Sequence, residues 1–239
     1  MLNGLYSAAA GMIAQQTRMD ALANDIANVN TTGYKQARLG FRDLVYNIEA
    51  GMRVGAGSAI VDGGHEFSAG AFQQSDNPLS VAIAGPGFFQ VQMPDGRTAV
   101  TRSGDFQLDA GGDVVDASGD RLLPRITMPA GTTPDQISIA ADGTVKAGTT
   151  TVGHIQIVNV SSPDRLQAVG DSLFVPTAQS GPIKAQTGST VQQGFLEASN
   201  VDLAQAMVNV IDAQRSFQFD SRVIQTQDQL MQIANEIRH

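Results

Sequence analysis

The sequence predicts an α+β protein whose N- and C-terminal helices pair as a coiled-coil layer, with a central, mostly antiparallel β domain between them in the chain. Residues 1–30 contain no proline, and residues 200–237 contain neither proline nor glycine, so both segments favour helix. Residues 55–195 are rich in glycine, proline, threonine and Asp-Gly pairs, which is typical of short strands joined by tight turns. We expect a helical domain at 1–33 plus 200–239, a β domain at 80–176, and connecting segments at 34–79 and 177–199.

The predicted N-terminal helix carries a heptad pattern. One row of residues recurs at a spacing of seven, and a second row follows it by three residues. The first row is Leu5, Met12, Met19 and Ile26, and the second is Ala8, Gln15, Leu22 and Val29. The helix should end near Asn30, because Thr31-Thr32-Gly33 offers a turn with a glycine that tolerates a positive φ.

The predicted C-terminal helix repeats this pattern over a longer stretch. Its main row, again with a spacing of seven, is Leu203, Val210, Phe217, Ile224 and Met231. Val223, Leu230 and Ile237 widen the stripe, and Asn200 is the predicted N-cap. A helix of about 38 residues would be about 57 Å long, which exceeds a compact domain of this size.

Packing between chains is the predicted role of the two helical stripes. Few charged residues flank them, so an isolated pair of helices would expose much apolar surface. This surface predicts burial in an oligomer, with helices that become ordered only on assembly. The predicted subunit-interface residues are Leu5, Met12, Met19, Ile26, Leu203, Val210, Phe217, Ile224 and Met231.

The central region shows strand and turn signals at short intervals. Segments 81–84, 88–93 and 98–101 are strand-like, and Pro94-Asp95-Gly96 between the last two indicates a hairpin. Segment 152–160 alternates in polarity and predicts one further strand. Such closely spaced strands and turns are typical of an antiparallel β domain.

Composition and charge exclude several functional classes. The 239 residues include no cysteine, which excludes disulfides, thiolate metal sites and cysteine nucleophiles. The formal net charge of -8 disfavours nucleic acid and anionic lipid as partners. No apolar run approaches the ~18 residues of a membrane-spanning helix, so we expect no direct membrane insertion. The N-terminus lacks the basic and apolar regions of a secretory signal, so we expect no cleaved signal peptide.

Neither a catalytic nor a metal site is predicted. The three histidines have no paired spacing that would suit a metal ion. Asp109, Asp113 and Asp116 lack the ligand order of a calcium loop and are interpreted as turn residues. Phosphate-loop and serine-nucleophile motifs are absent from the sequence. We expect a protein that is not an enzyme and that binds no cofactor.

Three motifs, in order along the chain, resemble those of the bacterial flagellar rod and hook proteins. The first is Ala23-Asn-Asp-Ile-Ala-Asn-Val-Asn-Thr-Thr-Gly-Tyr-Lys35. The second comprises Ala82-Ile-Ala-Gly-Pro-Gly-Phe-Phe-Gln-Val91 and Thr101-Arg-Ser-Gly-Asp-Phe106, and the third comprises Gln193-Gly-Phe-Leu-Glu-Ala-Ser-Asn-Val-Asp202 and Asp212-Ala-Gln-Arg-Ser-Phe217. The chain is identified as a member of this family. The motif residues of interest are Asn24, Asn28, Gly33, Tyr34, Gly85, Gly87, Phe88, Phe89 and Asn200.

The resemblance implies a structural, non-enzymatic role. Members of the family polymerise into a helical tube that transmits motor torque from the membrane ring to the hook. Their terminal helices pair into an inner coiled-coil layer with the β domain outside it, and they pass unfolded through the flagellar type III export apparatus. The implied partners are further copies of this chain, neighbouring rod and hook proteins, the export apparatus and surrounding ring proteins. The implied location is the flagellar basal body, in the cell envelope and periplasm.

The sequence leaves alternatives open. Segments 85–106 and 196–202 are most similar to distal rod members, but segment 44–66 is shorter than theirs, so a proximal rod member is the alternative. A further alternative is a soluble binding module whose helices fold back on its own β domain. Asn24, Asn28 and Gly33 either form caps and turns or provide hydrogen bonds between subunits that fix the axial register.

Overall fold

A computed structural model describes residues 2–44, 47–49, 52–55 and 57–236, and the chain forms two compact units. The first, here called the helical unit, comprises residues 1–27, 37–63 and 202–239. The second, here called the β unit, comprises residues 28–36 and 64–201. Together they confirm the predicted α+β class, with helices at the two ends of the chain and an antiparallel β region between them in sequence.

The helical unit is built on two long helices that pack against each other. Helix α1 spans Leu2–Ala27, and helix α2 spans Leu203–Glu236, which at 34 residues corresponds to a length of about 51 Å. The strands that follow α1 in the chain are β1 (Ala37–Asp43), β2 (Asn47–Glu49), β3 (Met52–Val54) and β4 (Ser58–His65). Strand β1 pairs with β4, and β2 pairs with β3. No helix in the described part of the chain is long and apolar enough to cross a membrane.

The end of α1 is set by a turn. The helix stops at Ala27, slightly before the predicted end, because Asn28 begins a turn. The Asn28 carbonyl oxygen accepts a hydrogen bond from Thr31 N at 3.1 Å, and its Oδ1 accepts one from Thr31 Oγ1 at 3.0 Å. Within the single chain, Asn28 therefore takes part in the turn that ends α1.

The start of α2 is capped by Asp202. Its Oδ1 accepts hydrogen bonds from Ala204 N at 2.9 Å and from Gln205 N at 3.1 Å, so it satisfies two amides that the first helical turn leaves free. The prediction that Asn200 is the N-cap is wrong. The negative charge of Asp202 also suits the N-terminal end of a helix dipole.

The β unit contains sixteen strands, and the pairings between them in its sheets are antiparallel. They are β5 (Phe72–Gln74), β6 (Val81–Ala84), β7 (Phe89–Gln92), β8 (Thr98–Thr101), β9 (Phe106–Leu108), β10 (Val114–Asp116), β11 (Arg121–Leu123), β12 (Ile137–Ile139), β13 (Thr144–Ala147), β14 (Thr150–His154), β15 (Val158–Asn159), β16 (Gln167–Gly170), β17 (Leu173–Val175), β18 (Lys184–Ala185), β19 (Thr190–Gln193) and β20 (Phe195–Glu197). Two short 3₁₀ helices lie at Pro134–Gln136 and Pro163–Arg165.

The largest sheet of the β unit has seven strands in the order β16-β17-β8-β7-β11-β10-β9. A three-stranded sheet has the order β12-β13-β14, and three strand pairs are β15–β18, β19–β6 and β20–β5. The predicted hairpin at Pro94-Asp95-Gly96 joins β7 and β8, and Gly96 N donates to the Met93 carbonyl oxygen at 2.9 Å. These sheets provide the frame on which the motif residues lie.

The strands differ from the predicted pattern in two places. Segment 152–160 forms β14 and β15 instead of one strand, because the chain changes its pairing partner from β13 to β18 between them. In addition, segments 34–79 and 177–199, which were expected to connect domains, contain β1–β5 and β18–β20. Strands β5 and β18–β20 have two to four residues each and pair with strands far away in sequence, so their own alternation is a weak signal.

The apolar core of the β unit covers both faces of the large sheet at β7. Neighbouring residues of a strand point to opposite faces, and Phe88 and Phe89 accordingly belong to different clusters. The Phe89 ring lies 5.3 Å from that of Phe106, and the Phe88 ring lies 5.1 Å from that of Phe67. Gly87 precedes them with a φ of +122°, and a Cβ there would lie 2.5 Å from Ile157 Cγ2, so only glycine fits.

Asp113 gives the β unit a predictable response to acid. Its carboxylate accepts hydrogen bonds from Arg125 Nη2 at 2.7 Å and from Thr127 Oγ1 at 2.6 Å, and these hold the pKa of Asp113 below its ordinary value of 3.8. A carboxyl group with a lowered pKa stabilises the fold above its ordinary pKa, and this stabilisation disappears as the pH falls through the lowered value. We expect Asp113→Asn to lower the melting temperature at neutral pH but not at a pH well below 3.8.

Circular dichroism melts at a series of pH values measure this effect. The matched control is Asp135→Asn, which changes an exposed aspartate of the first 3₁₀ helix. A difference between Asp113→Asn and the unsubstituted chain that stayed constant into acid would contradict the role given to the Asp113 carboxylate.

Candidate functional site

The three sequence motifs converge within the β unit on one buried carboxylate, that of Glu197. Lys35 ends the first motif, Arg102 lies in the second, and Glu197 lies in the third. Lys35 Nζ is 2.5 Å from Glu197 Oε1, and Arg102 Nη1 is 3.1 Å from Glu197 Oε2. The side chains of Lys35 and Glu197 are 0% exposed and that of Arg102 is 4% exposed. We call these three residues the Glu197 cluster.

Backbone groups complete the Glu197 cluster. The Glu197 carboxylate accepts a further hydrogen bond from Gly70 N at 3.1 Å, and the Glu197 carbonyl oxygen accepts one from Gly33 N at 2.8 Å. Lys35 Nζ also donates to the Ser68 carbonyl oxygen at 2.7 Å. On the other side, Arg102 Nη2 donates to the Gly85 carbonyl oxygen at 2.9 Å. The cluster therefore joins segments of the β unit that are far apart in the sequence.

The electrostatics of the Glu197 cluster are those of two cations around one anion. Burial lowers the pKa of Lys35, and the hydrogen bond and charge of Glu197 oppose this shift. Burial lowers the pKa of Arg102 in the same way, again against the attraction of Glu197. The Arg102 guanidinium also lies 5.5 Å from the centre of the Phe88 ring, a cation–π contact. Since both cations are desolvated, they depend on the one carboxylate.

Gly33 and Asn200 lie in the two chain segments next to the cluster, residues 33–36 and 197–200, and help to hold them in place. Gly33 has a φ of +67°, and a Cβ there would lie 2.3 Å from Ser103 N, so its place in the motif requires glycine. Asn200 Oδ1 accepts a hydrogen bond from Gln36 N at 2.8 Å, and Asn200 Nδ2 donates to the Glu66 carbonyl oxygen at 2.7 Å. The segment that follows α1 in the chain and the segment that precedes α2 are thus linked to each other.

The remaining motif residues, Tyr34 and Asn24, are not members of the Glu197 cluster and have separate positions in the structure. Tyr34 accepts a hydrogen bond from Asn200 N at its carbonyl oxygen, 3.4 Å away, and Asn24 lies on α1 with an exposed side chain. Sequence reasoning singled out the glycines and asparagines of the motifs but missed Lys35, Arg102 and Glu197. The available signal was the presence of a few charged residues within motifs made mostly of small, polar and apolar residues.

The Glu197 cluster suits a structural role and not a chemical one. Its carboxylate is sealed from solvent and already accepts hydrogen bonds from Lys35, Arg102 and Gly70, so a substrate has no access to it. Among the described residues, no group of three or more histidine or acidic side chains is placed to hold a metal ion. The arrangement can fix the register of chain segments, which is the best-attested use of buried polar groups.

The predicted interface residues lie in the helical unit. Helices α1 and α2 run antiparallel, since Gly4 faces Gln227 and Gly11 faces Asp220. The buried apolar residues of the two helices are Ala8, Ala14, Leu22, Ala206 and Ala213. The predicted residues Leu5, Met12, Met19, Ile26, Val210, Phe217, Ile224 and Met231 are half-buried, and Leu203 is exposed.

The contact face of α2 differs in part from the predicted one. Its second row has a spacing of seven and consists of Ala206, Ala213, Asp220 and Gln227, which pass unnoticed in an apolar count. Val223 and Leu230, which were expected to widen the apolar stripe, are exposed. The predicted Ile237 lies outside the described residues.

A groove between α1 and α2 leaves apolar side chains uncovered. It has a volume of about 650 Å³ and is lined by Met19, Ala23, Ile26, Val210 and Phe217, with Gln16, Asp20 and Gln214 as polar members. We call it the apolar groove. Four of its lining residues belong to the predicted interface. Large apolar side chains are exposed elsewhere on the pair as well, among them Tyr6 at 72% and Ile13 at 67%.

Comparison with known proteins decides the family. Three family profiles match the chain: "Flagella basal body rod protein" at residues 5–35, "Flagellar hook protein FlgE/F/G D1 domain" at residues 82–147, and "Flagellar basal body rod FlgEFG protein C-terminal" at residues 192–237. The flagellar basal-body rod protein FlgG of Borreliella burgdorferi is 36% identical over an alignment of 263 positions, which covers 100% of this chain and 99% of that protein. The chain belongs to the flagellar basal-body rod family.

Further relatives distinguish between the FlgG-like and FlgF-like types of rod protein. FlgG of Bacillus subtilis is 36% identical, with 97% of each chain covered, whereas FlgF of Mesorhizobium japonicum is 28% identical over 91% of this chain. These matches favour the FlgG-like, distal rod alternative over the proximal one. They also confirm the predicted structural, non-enzymatic role over that of a soluble binding module, because these relatives are structural proteins of the flagellar rod. As a rod protein, the chain assembles into the basal body with other flagellar proteins.

Asp220 makes the helix pair of this rod protein sensitive to pH. It lies opposite Gly11, where a Cβ would be 2.8 Å from Asp220 Oδ2, and burial raises the pKa of its carboxyl group. A carboxyl group with a raised pKa destabilises the fold once it ionises, and this cost disappears as the pH falls below its ordinary value of 3.8. We expect Asp220→Asn to raise the melting temperature of the helices at neutral pH.

Helix melting followed by circular dichroism checks this expectation, with Asp228→Asn as a control at an exposed position of the same helix. The gain from Asp220→Asn should vanish in acid. An equal gain from both substitutions would contradict the account, because it would point to the net charge of the helix and not to burial.

Proposed function

We propose that this rod protein polymerises through its paired terminal helices into the distal rod, where the polymer carries torque from the motor to the hook. The observation that carries the proposal is the apolar groove of the helix pair, which one chain alone leaves uncovered. Exposed apolar surface of this kind marks interaction sites in soluble proteins. The predicted interface residues that line it are Met19, Ile26, Val210 and Phe217.

The free energy of burying apolar side chains favours assembly, because a small gain is repeated at every contact between subunits. Full burial of one large apolar side chain contributes about 1.5–3 kcal/mol. Eight large apolar side chains of α2 are exposed in the single chain, namely Leu203, Met207, Val208, Ile211, Phe219, Val223, Leu230 and Ile233. Neighbouring subunits would bury these side chains in every copy of the chain. A modest gain in free energy at each contact would therefore add up to a stable polymer. These eight residues lie at several angles around α2, outside the face that holds Ala206 and Ala213, which suits a helix with neighbours on several sides.

The Glu197 cluster has a mechanical role in this proposal. Chain segments 33–36 and 197–200 lead to the two helices, and buried hydrogen bonds and ion pairs tie them to the rest of the β unit. A load on either helix then acts on both segments together. This arrangement resists unravelling of the β unit from its ends.

The wider setting follows from family membership and belongs to the same proposal. The partners are neighbouring rod and hook proteins, the flagellar type III export apparatus and the surrounding ring proteins. Export by that apparatus would bring the chain to the periplasmic part of the cell envelope without a cleaved signal peptide. The absence of cysteine suits passage in an unfolded state, since no disulfide has to be opened.

Deletion of the gene in the bacterium that carries it tests the proposed function. We expect loss of motility, basal bodies without a complete rod, and rescue by the unsubstituted chain. A tagged copy should co-purify with isolated basal bodies. Complete rods and normal swimming in the deletion strain would contradict the proposal.

A further inference from the structure

We propose that Phe219, together with Arg215 and Arg222, inserts into the apolar groove of the next copy of this chain. The inference rests on the proposed polymer function and names the side chains that make one of its contacts. Phe219 is 63% exposed, the highest value among the exposed large apolar residues of α2. A side chain of this size on the outside of a helix gains most from a partner that has a pocket for it.

Two arginines flank Phe219, and we call the surface formed by Arg215, Phe219 and Arg222 the projection. Arg215 lies four residues before Phe219 and Arg222 lies three residues after it, so all three share one face of α2, and together they line one surface pocket. Neither arginine has an ion-pair partner among the described residues. The projection is therefore an aromatic ring between two unpaired cations.

The apolar groove offers the complementary features. Its walls include Met19 and Phe217, which suit a phenyl ring, because sulfur and aromatic side chains make favourable contacts with aromatic rings. Asp20 is the one acidic residue among its lining residues, and it is exposed and lacks an ion-pair partner within the described part of the chain. A guanidinium group of the incoming projection can pair with Asp20 while the ring fills the groove.

The direction of the contact favours an open polymer. Phe217 faces the groove, whereas Phe219 lies on the other flank of α2, where it also borders a recess beside Gly11 and Gln15 of α1. Residues two positions apart on a helix point about 200° apart. Groove and projection are therefore different surfaces on opposite sides of α2. A contact between two different surfaces does not close a two-fold dimer, and it gives an open helical filament when the rotation between successive copies does not close a ring.

Cysteine cross-linking tests the contact directly, because the chain has no cysteine of its own. Ala23→Cys marks the groove and Gln218→Cys marks the projection. Two full-length chains of different tag size, each with one of these changes, are mixed, polymerised and treated with an added oxidant. The matched control pairs Ala23→Cys with Gln225→Cys, an exposed position one heptad further along α2.

We expect a disulfide-linked heterodimer from the Ala23→Cys and Gln218→Cys mixture and none from the control mixture. We also expect Phe219→Ala to raise the concentration needed for polymerisation by about tenfold or more, and Leu230→Ala to raise it less. Filaments that form normally without the heterodimer would overturn this contact and leave the proposed function standing, with another surface or another protein covering Phe219. Failure of the unsubstituted chain to form filaments would overturn both.

Discussion

Replacing Glu197 by glutamine should lower the free energy of unfolding of the β unit by about 3–5 kcal/mol, the usual cost of removing one partner from a buried ion pair. The substitution keeps the size of the side chain but removes its charge. Lys35 and Arg102 would then stay buried without a counter-charge. The effect should be large because one carboxylate serves both cations.

Denaturant unfolding of the full chain, followed by fluorescence or circular dichroism, measures this loss. Asp95→Asn is the matched control, because Asp95 also pairs with an arginine but does so on the surface, where the side chains of Asp95 and Arg97 are 47% and 59% exposed. We expect little change from the control, since exposed ion pairs contribute little. An unchanged midpoint for Glu197→Gln would show that the cluster does not hold the fold together.

Phe217→Ala should abolish polymerisation while leaving the chain folded. Phe217 is half-buried and lines the apolar groove, so its truncation removes little packing from the single chain. In a polymer that covers the groove, the same truncation should cost about 3–5 kcal/mol, as for a buried core phenylalanine. This cost recurs in every subunit.

Sedimentation and electron microscopy of the purified protein follow assembly, and circular dichroism follows folding. Gln214→Ala is the control, because Gln214 also lines the groove but adds no apolar area. Normal filaments from Phe217→Ala would rule out the groove as an assembly surface. Loss of the folded β unit would contradict the assignment of Phe217 to the helical unit alone.

The features that sequence patterns predicted were those set by local physics. Helix propensity and the spacing of Met19, Ile26, Val210 and Phe217 indicated two long helices with apolar stripes, and both helices are present. The hairpin at Pro94-Asp95-Gly96 followed from turn chemistry in the same way. Each of these depends on interactions between residues close in sequence, so a single chain segment carries the signal.

The features that sequence patterns missed depend on tertiary contacts. Nothing local shows that Lys35 pairs with Glu197, since 162 residues separate them. Asn200 looked like a helix cap because its residue type favours caps, but its side chain bonds to Gln36 and Glu66 and leaves the cap to Asp202. The contact face of α2 likewise uses alanines, which a search for large apolar residues does not weigh.

The most direct test of the account compares hydrogen exchange of the single chain with that of the polymer. If the terminal helices are the assembly surface, amides of residues 2–27 and 203–236 should exchange more slowly in the polymer than in the single chain. Amides of the large sheet, such as those of β7 and β8, should be protected in both states, because that core is buried within one chain. Equal protection of the helices in both states would contradict the central claim that their exposed faces hold the rod together.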